Sequence, residues 1–204
     1  MITLEELERS PLYSEELGID LADKRDGELF KWFLASLLFG GRITQTIAKH
    51  TYRAFEKYGL LTPEKILDAG WDFLVNPIMW EGGYVRYDGR KSEQILRDCE
   101  SLLEKYEGSL NRVHDLASDS KDLEKRLDAF YGVGPVTVNI FLRELRPFWE
   151  KADPKPLDIV FEEAEKLHID LARFERKSLR FVRIEAGLIR HKNDILEKRV
   201  IKNL

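Results

Sequence analysis

The sequence predicts an all-α protein. Apolar residues recur at three- and four-residue intervals over most of the chain, the spacing of one helix face. Start and stop signals punctuate these stretches: Thr62-Pro63-Glu64 reads as an N-cap followed by proline and an acid, and Gly40-Gly41, Gly59, Gly70 and Gly108 read as stops. No stretch alternates convincingly as a strand would, and no internal repeat appears.

The elements follow in order. Residues 1–28 are polar with short apolar patches and read as a peripheral arm. Phe30, Phe33, Leu34, Leu37 and Leu38 mark a buried helix that Gly40-Gly41 breaks. Ile43, Ile47, Tyr52 and Phe55 carry the next, which stops at Gly59. A short helix runs from Thr62 to near Gly70, with one further turn before Pro77. Residues 80–91 (Trp80, Gly82-Gly83, Tyr84, Arg86, Tyr87, Arg90, Lys91) read as a loop rich in glycine, aromatics and cations. A long helix over about 91–106 places Ile95, Cys99, Leu102, Leu103 and Tyr106 inward, with Cys99 a small core residue. A helix pair occupies about 120–146, and two helical patterns follow at 156–168 and 178–191. The sum is about nine or ten helices.

The 204 residues suffice for one domain or two small lobes, and 43% hydrophobic content supports a core. A formal net charge of -4 means that nucleic-acid binding would need a local basic face or backbone amides. One cysteine excludes an internal disulfide and any thiolate cluster, and fits a reducing cytoplasm. No run has the length of a membrane helix, and the acidic start (Glu5, Glu6, Glu8) is unlike a signal peptide, so a cytoplasmic location is expected. The four histidines do not pair at helical spacing, which excludes a helical metal pair.

Residues 127–142 organise the rest. Leu123, Leu127 and Phe130 share one helix face; Gly132-Val133-Gly134 permits a sharp turn with positive φ; Gly134 can serve as N-cap and Pro135 as first helical residue. Such a turn presents bare amides at the positive end of a helix, a site for an anion such as a DNA phosphate.

These residues resemble the helix-hairpin-helix of the endonuclease III-like DNA glycosylase superfamily, in which a Gly-hydrophobic-Gly hairpin precedes an essential aspartate by about twenty residues. Asp153 stands at a matching distance here. The helix at 30–38 with its Gly-Gly break, the Gly82-Gly83-Tyr84 segment with the helix after it, and residues 183–191 resemble other family elements. The resemblance implies two helical lobes with a cleft between them: a six-helix barrel over 22–147, and a second lobe combining 1–21 with 148–204. It implies a monomer that lays double-stranded DNA across the cleft, flips one nucleotide into it and cleaves the N-glycosidic bond of a damaged or mismatched base.

By the same resemblance, Asp153 is the expected catalytic carboxylate, with Asp158, at poorer spacing and inside a helix, the alternative. The Asp153-Pro154 pair departs from the family pattern. Bifunctional members carry a lysine where Val136 stands, so a Schiff-base lyase through that position is not expected; Lys151 and Lys155 are neighbours of Asp153 only. Gly132, Val133, Gly134, Pro135, Thr137, Arg42, Arg90 and Lys91 are the expected DNA contacts, Arg42 being the nearest substitute for the polar side chain, replaced by glycine here, that the family inserts into the gap left by the flipped base. Trp80, Tyr84 and Tyr87 are the expected base-stacking residues. The backbone carbonyls of Tyr131, Val133 and Val136 are the expected site of a structural sodium or potassium ion, and no iron–sulfur cluster is expected. A share of the cations over 173–192 is expected on the DNA side. The alternative is a DNA-binding relative that kept the fold and lost the chemistry.

Overall fold

The computed structural model describes the backbone of residues 2–202 and the side chains of residues 2–193. All regular structure among the described residues is helical. In order, the α-helices are α1 (Leu4–Glu8), α2 (Tyr13–Glu16), α3 (Asp26–Phe39), α4 (Gln45–Lys57), α5 (Pro63–Phe73), α6 (Trp80–Gly82), α7 (Asp88–Tyr106), α8 (Leu110–Leu116), α9 (Ser120–Asp128), α10 (Pro135–Arg143), α11 (Asp158–Lys166) and α12 (Leu179–Lys202). A wide π turn (Leu74–Met79) joins α5 to α6, and a 3-10 turn (Leu171–Arg173) precedes α12.

The twelve α-helices among the described residues exceed the nine or ten expected, and the extra ones are short. The Thr3 hydroxyl and the Glu6 carboxylate cap α1 reciprocally. Ser109 caps α8, whose seven residues carry only two core positions, Leu110 and Val113. The loop expected over 80–91 is narrower, since α6 occupies its start and α7 already begins at Asp88. Elsewhere local chemistry gave the right ends. Thr62 caps α5 with Pro63 in its first turn, and Pro135 opens α10 behind Gly134. The chain leaves α3 at Gly40, as the Gly-Gly pair predicts.

The N-terminal segment is no peripheral arm. Leu7, Leu12, Tyr13, Leu17, Ile19 and Leu21 are buried. Both oxygens of the buried Glu144 carboxylate accept amide protons at the start of α2, from Tyr13 (2.9 Å) and Ser14 (3.0 Å). Arg180, Arg183 and Arg190 of α12 pair with Glu8, Glu15 and Glu16. Helix α3 forms the centre of the core, with Leu29, Trp32, Phe33, Leu34, Leu37 and Leu38 buried. The Trp32 indole donates to the Phe141 carbonyl of α10 at 3.0 Å. Phe33 meets Phe141 edge-on at 5.5 Å and Phe130 at 5.3 Å. Aromatic contacts of this kind contribute about 0.5–1.5 kcal/mol each beyond area burial, so the turn between α9 and α10 rests on a stiff base. No helix among the described residues is long and apolar enough to cross a membrane.

Candidate nucleic-acid interface

The turn between α9 and α10 is built as its glycines require, with one difference. Gly132 has φ +67°, the left-handed region a side chain disfavours. Gly134 does not: it is extended (φ -128°, ψ 178°) and acts as the N-cap. Val133 is buried beneath the turn, so its contribution to any ligand is backbone only. No side chain caps α10. Pro135 has no N–H to satisfy, and the Val136 and Thr137 amides of the first turn have no partner within the helix at the positive end of its dipole. The Thr137 hydroxyl is not an exposed contact as expected; Thr137 is buried against the end of α3. A Cβ on Gly40 would fall 2.0 Å from Thr137 Oγ1, so only glycine lets the two helices approach this closely. Of the three carbonyls expected to hold a cation, those of Tyr131 and Val133 lie in the turn and that of Val136 in the first turn of α10. A carbonyl that serves a helix keeps a second lone pair, which leaves each of the three able to accept a further partner. No group of three His, Cys, Asp or Glu side chains that could hold a metal occurs among the described residues.

Beside the turn lies an open cavity of about 500 Å³ that brings together three segments distant in sequence. Arg42 comes from the turn after α3, Tyr84, Tyr87, Arg90 and Lys91 from the segment around the start of α7, and Tyr131 and Gly132 from the turn before α10. Arg42 and Arg90 are exposed and form no ion pair among the described residues. Lys91 is different. Its Nζ donates to the Leu37 carbonyl at the end of α3 (2.9 Å) and to Gln94 Oε1 (2.6 Å), so it serves as a helix cap and is not free for a phosphate. Burial pushes its pKa down to about 8. Beneath it, Asp98 is fully buried with neither carboxylate oxygen in a well-formed hydrogen bond, and burial pushes its pKa up to about 7 against the pull of the Tyr131 amide and Lys91.

The three aromatic candidates separate. Tyr84 is buried, its hydroxyl against the backbone of Gly41, and is a core residue. Tyr87 is exposed with φ +64°, and the Arg86 guanidinium stacks over its ring at 5.1 Å. Trp80 is exposed but does not line the cavity.

Asp153 is held away from that cavity in a web of arginines. Arg176 Nε donates to Oδ1 at 2.8 Å and its Nη2 approaches Oδ2 at 2.5 Å. Arg146 Nε lies 3.8 Å from Oδ1 on the other side. Arg146 is itself buried in an ion pair with Glu185 of α12, and donates to the Pro154 carbonyl at 2.6 Å. The Asp153 charge is spent on fixing this loop. Lys151 is likewise engaged, donating to the carbonyls of His114 (2.9 Å) and Asp115 (3.3 Å). Asp158 stands differently. It is the first residue of α11, exposed, without a charged partner among the described residues. It lines a second cavity of about 510 Å³ with Lys121, Lys125 and Lys155, whose wall includes Pro135 of α10. Burial raises the pKa of Glu124 in the same wall, and the Asp153 charge adds to that.

No family model, curated protein or solved structure matches the chain.

Two features of the site lie beyond the sequence reading. The C-terminal cations are engaged within the chain: Arg173, Arg176, Arg180, Arg183, Arg190 and Lys192 each pair with a carboxylate, and Lys177 donates to the Glu150 carbonyl. Conversely, Arg143 at the end of α10 is buried in the lining of a third cavity, of about 370 Å³, that runs between Tyr13, Phe39, Leu157 and Ile189. The signal for it was present: Arg143, Glu144 and Arg146 interrupt an apolar helical stretch, and charges in such a stretch are buried only with a reason.

Proposed function

We propose that the chain is a helix-hairpin-helix DNA-binding protein of the endonuclease III-like glycosylase type, and that it releases a damaged or mismatched base from double-stranded DNA. The observation that carries this reading is the convergence of Arg42, Arg90 and the Gly132 turn around one cavity, beside the uncapped start of α10. Exposed arginines and helix-start amides are what a phosphate backbone requires, and they lie on one side of a chain whose net charge is -4. A monovalent cation on the carbonyls of Tyr131, Val133 and Val136 would brace the turn.

For the chemistry, Asp158 replaces Asp153 in this reading. Breaking an N-glycosidic bond develops positive charge on the sugar, and a carboxylate beside it stabilises that charge and takes a proton from the attacking water. The Asp158 carboxylate is unneutralised and opens on a cavity walled by the first residue of α10. Asp153, neutralised by Arg176 and Arg146, holds the loop that leads to Asp158. Val136 leaves no amine at the family's lyase position and the Lys151 amine is tied to carbonyls, which favours water as the attacking nucleophile over a lysine at those two positions.

Single-turnover base release on a panel of duplexes, each with one lesion, tests this. Release on one lesion that Asp158→Asn abolishes, with duplex binding retained, is the expected result. Asp153→Asn should lower thermal stability and leave residual release. Tight binding without release on any lesion supports the second reading, a DNA-binding protein without catalysis, which the pairing of Asp153 favours. An absence of duplex binding at low salt refutes both.

A further inference from the structure

Two exposed tyrosines line the cavity of about 500 Å³ beside the turn before α10, and each carries an arginine on its ring. Tyr87 is 57% exposed, with the Arg86 guanidinium 5.1 Å from the ring centroid. Tyr131 is 37% exposed, with the Arg97 guanidinium 3.5 Å from the ring centroid. One comes from the start of α7 and the other from the turn before α10, so the fold brings them together. Tyr87 is held at φ +64°, a conformation disfavoured for a bulky residue and kept only where its surroundings fix it. A third ring, Trp71, is 47% exposed and is pinned to the start of α7 by its indole N–H, which donates to the Gly89 carbonyl at 3.0 Å. Single exposed aromatics are ordinary on a protein surface, whereas a group of them on one face marks a binding surface. The charge there is positive and open: Arg42, Arg86 and Arg90 are exposed and form no ion pair among the described residues. Open arginines between exposed rings fit a polyanion with planar groups better than an apolar protein surface.

Resting on the reading that duplex DNA lies on this face, we propose that Tyr87, Tyr131 and Trp71 form a stacking platform for unpaired nucleotides, and that the preferred partner is a duplex that continues into a single strand. The preference follows from which part of a base each form of DNA presents. Bases inside a duplex are stacked on one another and offer a protein their edges in the grooves. An exposed ring therefore gains little from continuous duplex. The bases of an unpaired strand present their faces, and stacking on an aromatic ring raises affinity by about 10-fold per base whatever the base. The Arg86 and Arg97 guanidiniums brace the two tyrosines and are themselves flat surfaces on which a base can lie. Arg42 and Arg90, on the same cavity, take the phosphates between stacked bases.

Fluorescence anisotropy of the full chain on one duplex in three forms tests this. The forms are blunt, extended by a single strand of about five thymidines, and extended by the same length of tetrahydrofuran abasic nucleotides, which keep the phosphates and lack the bases. Each extension is placed at the 3′ and at the 5′ end in turn. The thymidine extension of one polarity should be bound about 10–100-fold more tightly than the blunt duplex, and its abasic counterpart no more than about threefold. Tyr87→Ala combined with Tyr131→Ala should bring the ratio of extended to blunt affinity down to that of the abasic form. Tyr87→Phe combined with Tyr131→Phe keeps both rings and should hold the ratio. Trp80→Ala removes an exposed ring that does not line the cavity and should also hold it. Equal wild-type binding of the blunt and thymidine-extended forms overturns the proposal while leaving the DNA-binding reading intact. An equal gain from the abasic extension also overturns it, because phosphates alone would then account for the preference. Both comparisons stand even if a variant does not fold. A folded double alanine variant that keeps the ratio overturns it as well. No affinity for any form removes the proposal together with the reading beneath it.

Discussion

Replacing Asp98 by asparagine changes how stability depends on pH, by an amount the burial of this group sets. The Asp98 carboxyl titrates near 3.8 in an unfolded chain and near 7 in the folded one, because burial disfavours its charge. The folded state therefore holds a proton that the unfolded state has lost over that window. Stability from this group is complete below about 3.8 and is lost as the pH rises through about 7. From pH 5 to pH 8 the folded group passes through about two decades of this titration, a loss of about 3 kcal/mol. Asparagine matches the neutral form in shape and does not titrate. Urea unfolding at pH 5 and pH 8 should then show Asp98→Asn gaining about 3 kcal/mol relative to wild type between the two. Wild-type and variant curves that stay parallel across this range would refute the argument that Asp98 is protonated beneath the turn at neutral pH.

Three further outcomes follow from packing and charge. Gly40→Ala drives a methyl to within 2.0 Å of Thr137 Oγ1 and should cost about 1–3 kcal/mol in thermal unfolding, with partial recovery in combination with Thr137→Ala. Arg146→Met strands the buried Glu185 carboxylate and should cost about 3–5 kcal/mol in chemical denaturation, while Arg146→Met with Glu185→Leu should be much closer to wild type. Arg42→Ala and Arg90→Ala should each weaken duplex binding without regard to sequence and each lower the slope of log affinity against log salt by about 0.9; an unchanged slope would remove that residue from the phosphate contacts.

What the sequence made legible was chemistry confined to a few neighbouring residues. The Thr62-Pro63 start, the break at Gly40 and the Gly134-Pro135 opening of α10 follow from capping and φ preference alone, and the structure has them at those residues. The all-α character followed from periodicity summed over long helices such as α3 and α7. What failed to show were partners far apart in sequence. The basic residues of α12 looked like a solvated or DNA-facing set because Glu8, Glu15 and Glu16 lie some 170 positions earlier. Asp153 looked free because Arg176 is 23 residues on and Arg146 is held by Glu185, 39 residues away. Lys91 looked like a phosphate ligand because the carbonyl it caps, that of Leu37, belongs to another helix. In each case the residue type was read correctly as charged, and the partner that decides its role is supplied only by the fold.

The central claim is that duplex DNA lies on the face formed by the turn after α3, the start of α7 and the turn before α10. An amide NMR titration with a short duplex at low salt tests it most directly. The account predicts shifts concentrated at residues 40–42, 87–91 and 131–137 that saturate with added duplex and fade as salt is raised. A saturating duplex that leaves these amides unmoved, or that shifts amides along the exposed side of α12 instead, would contradict it.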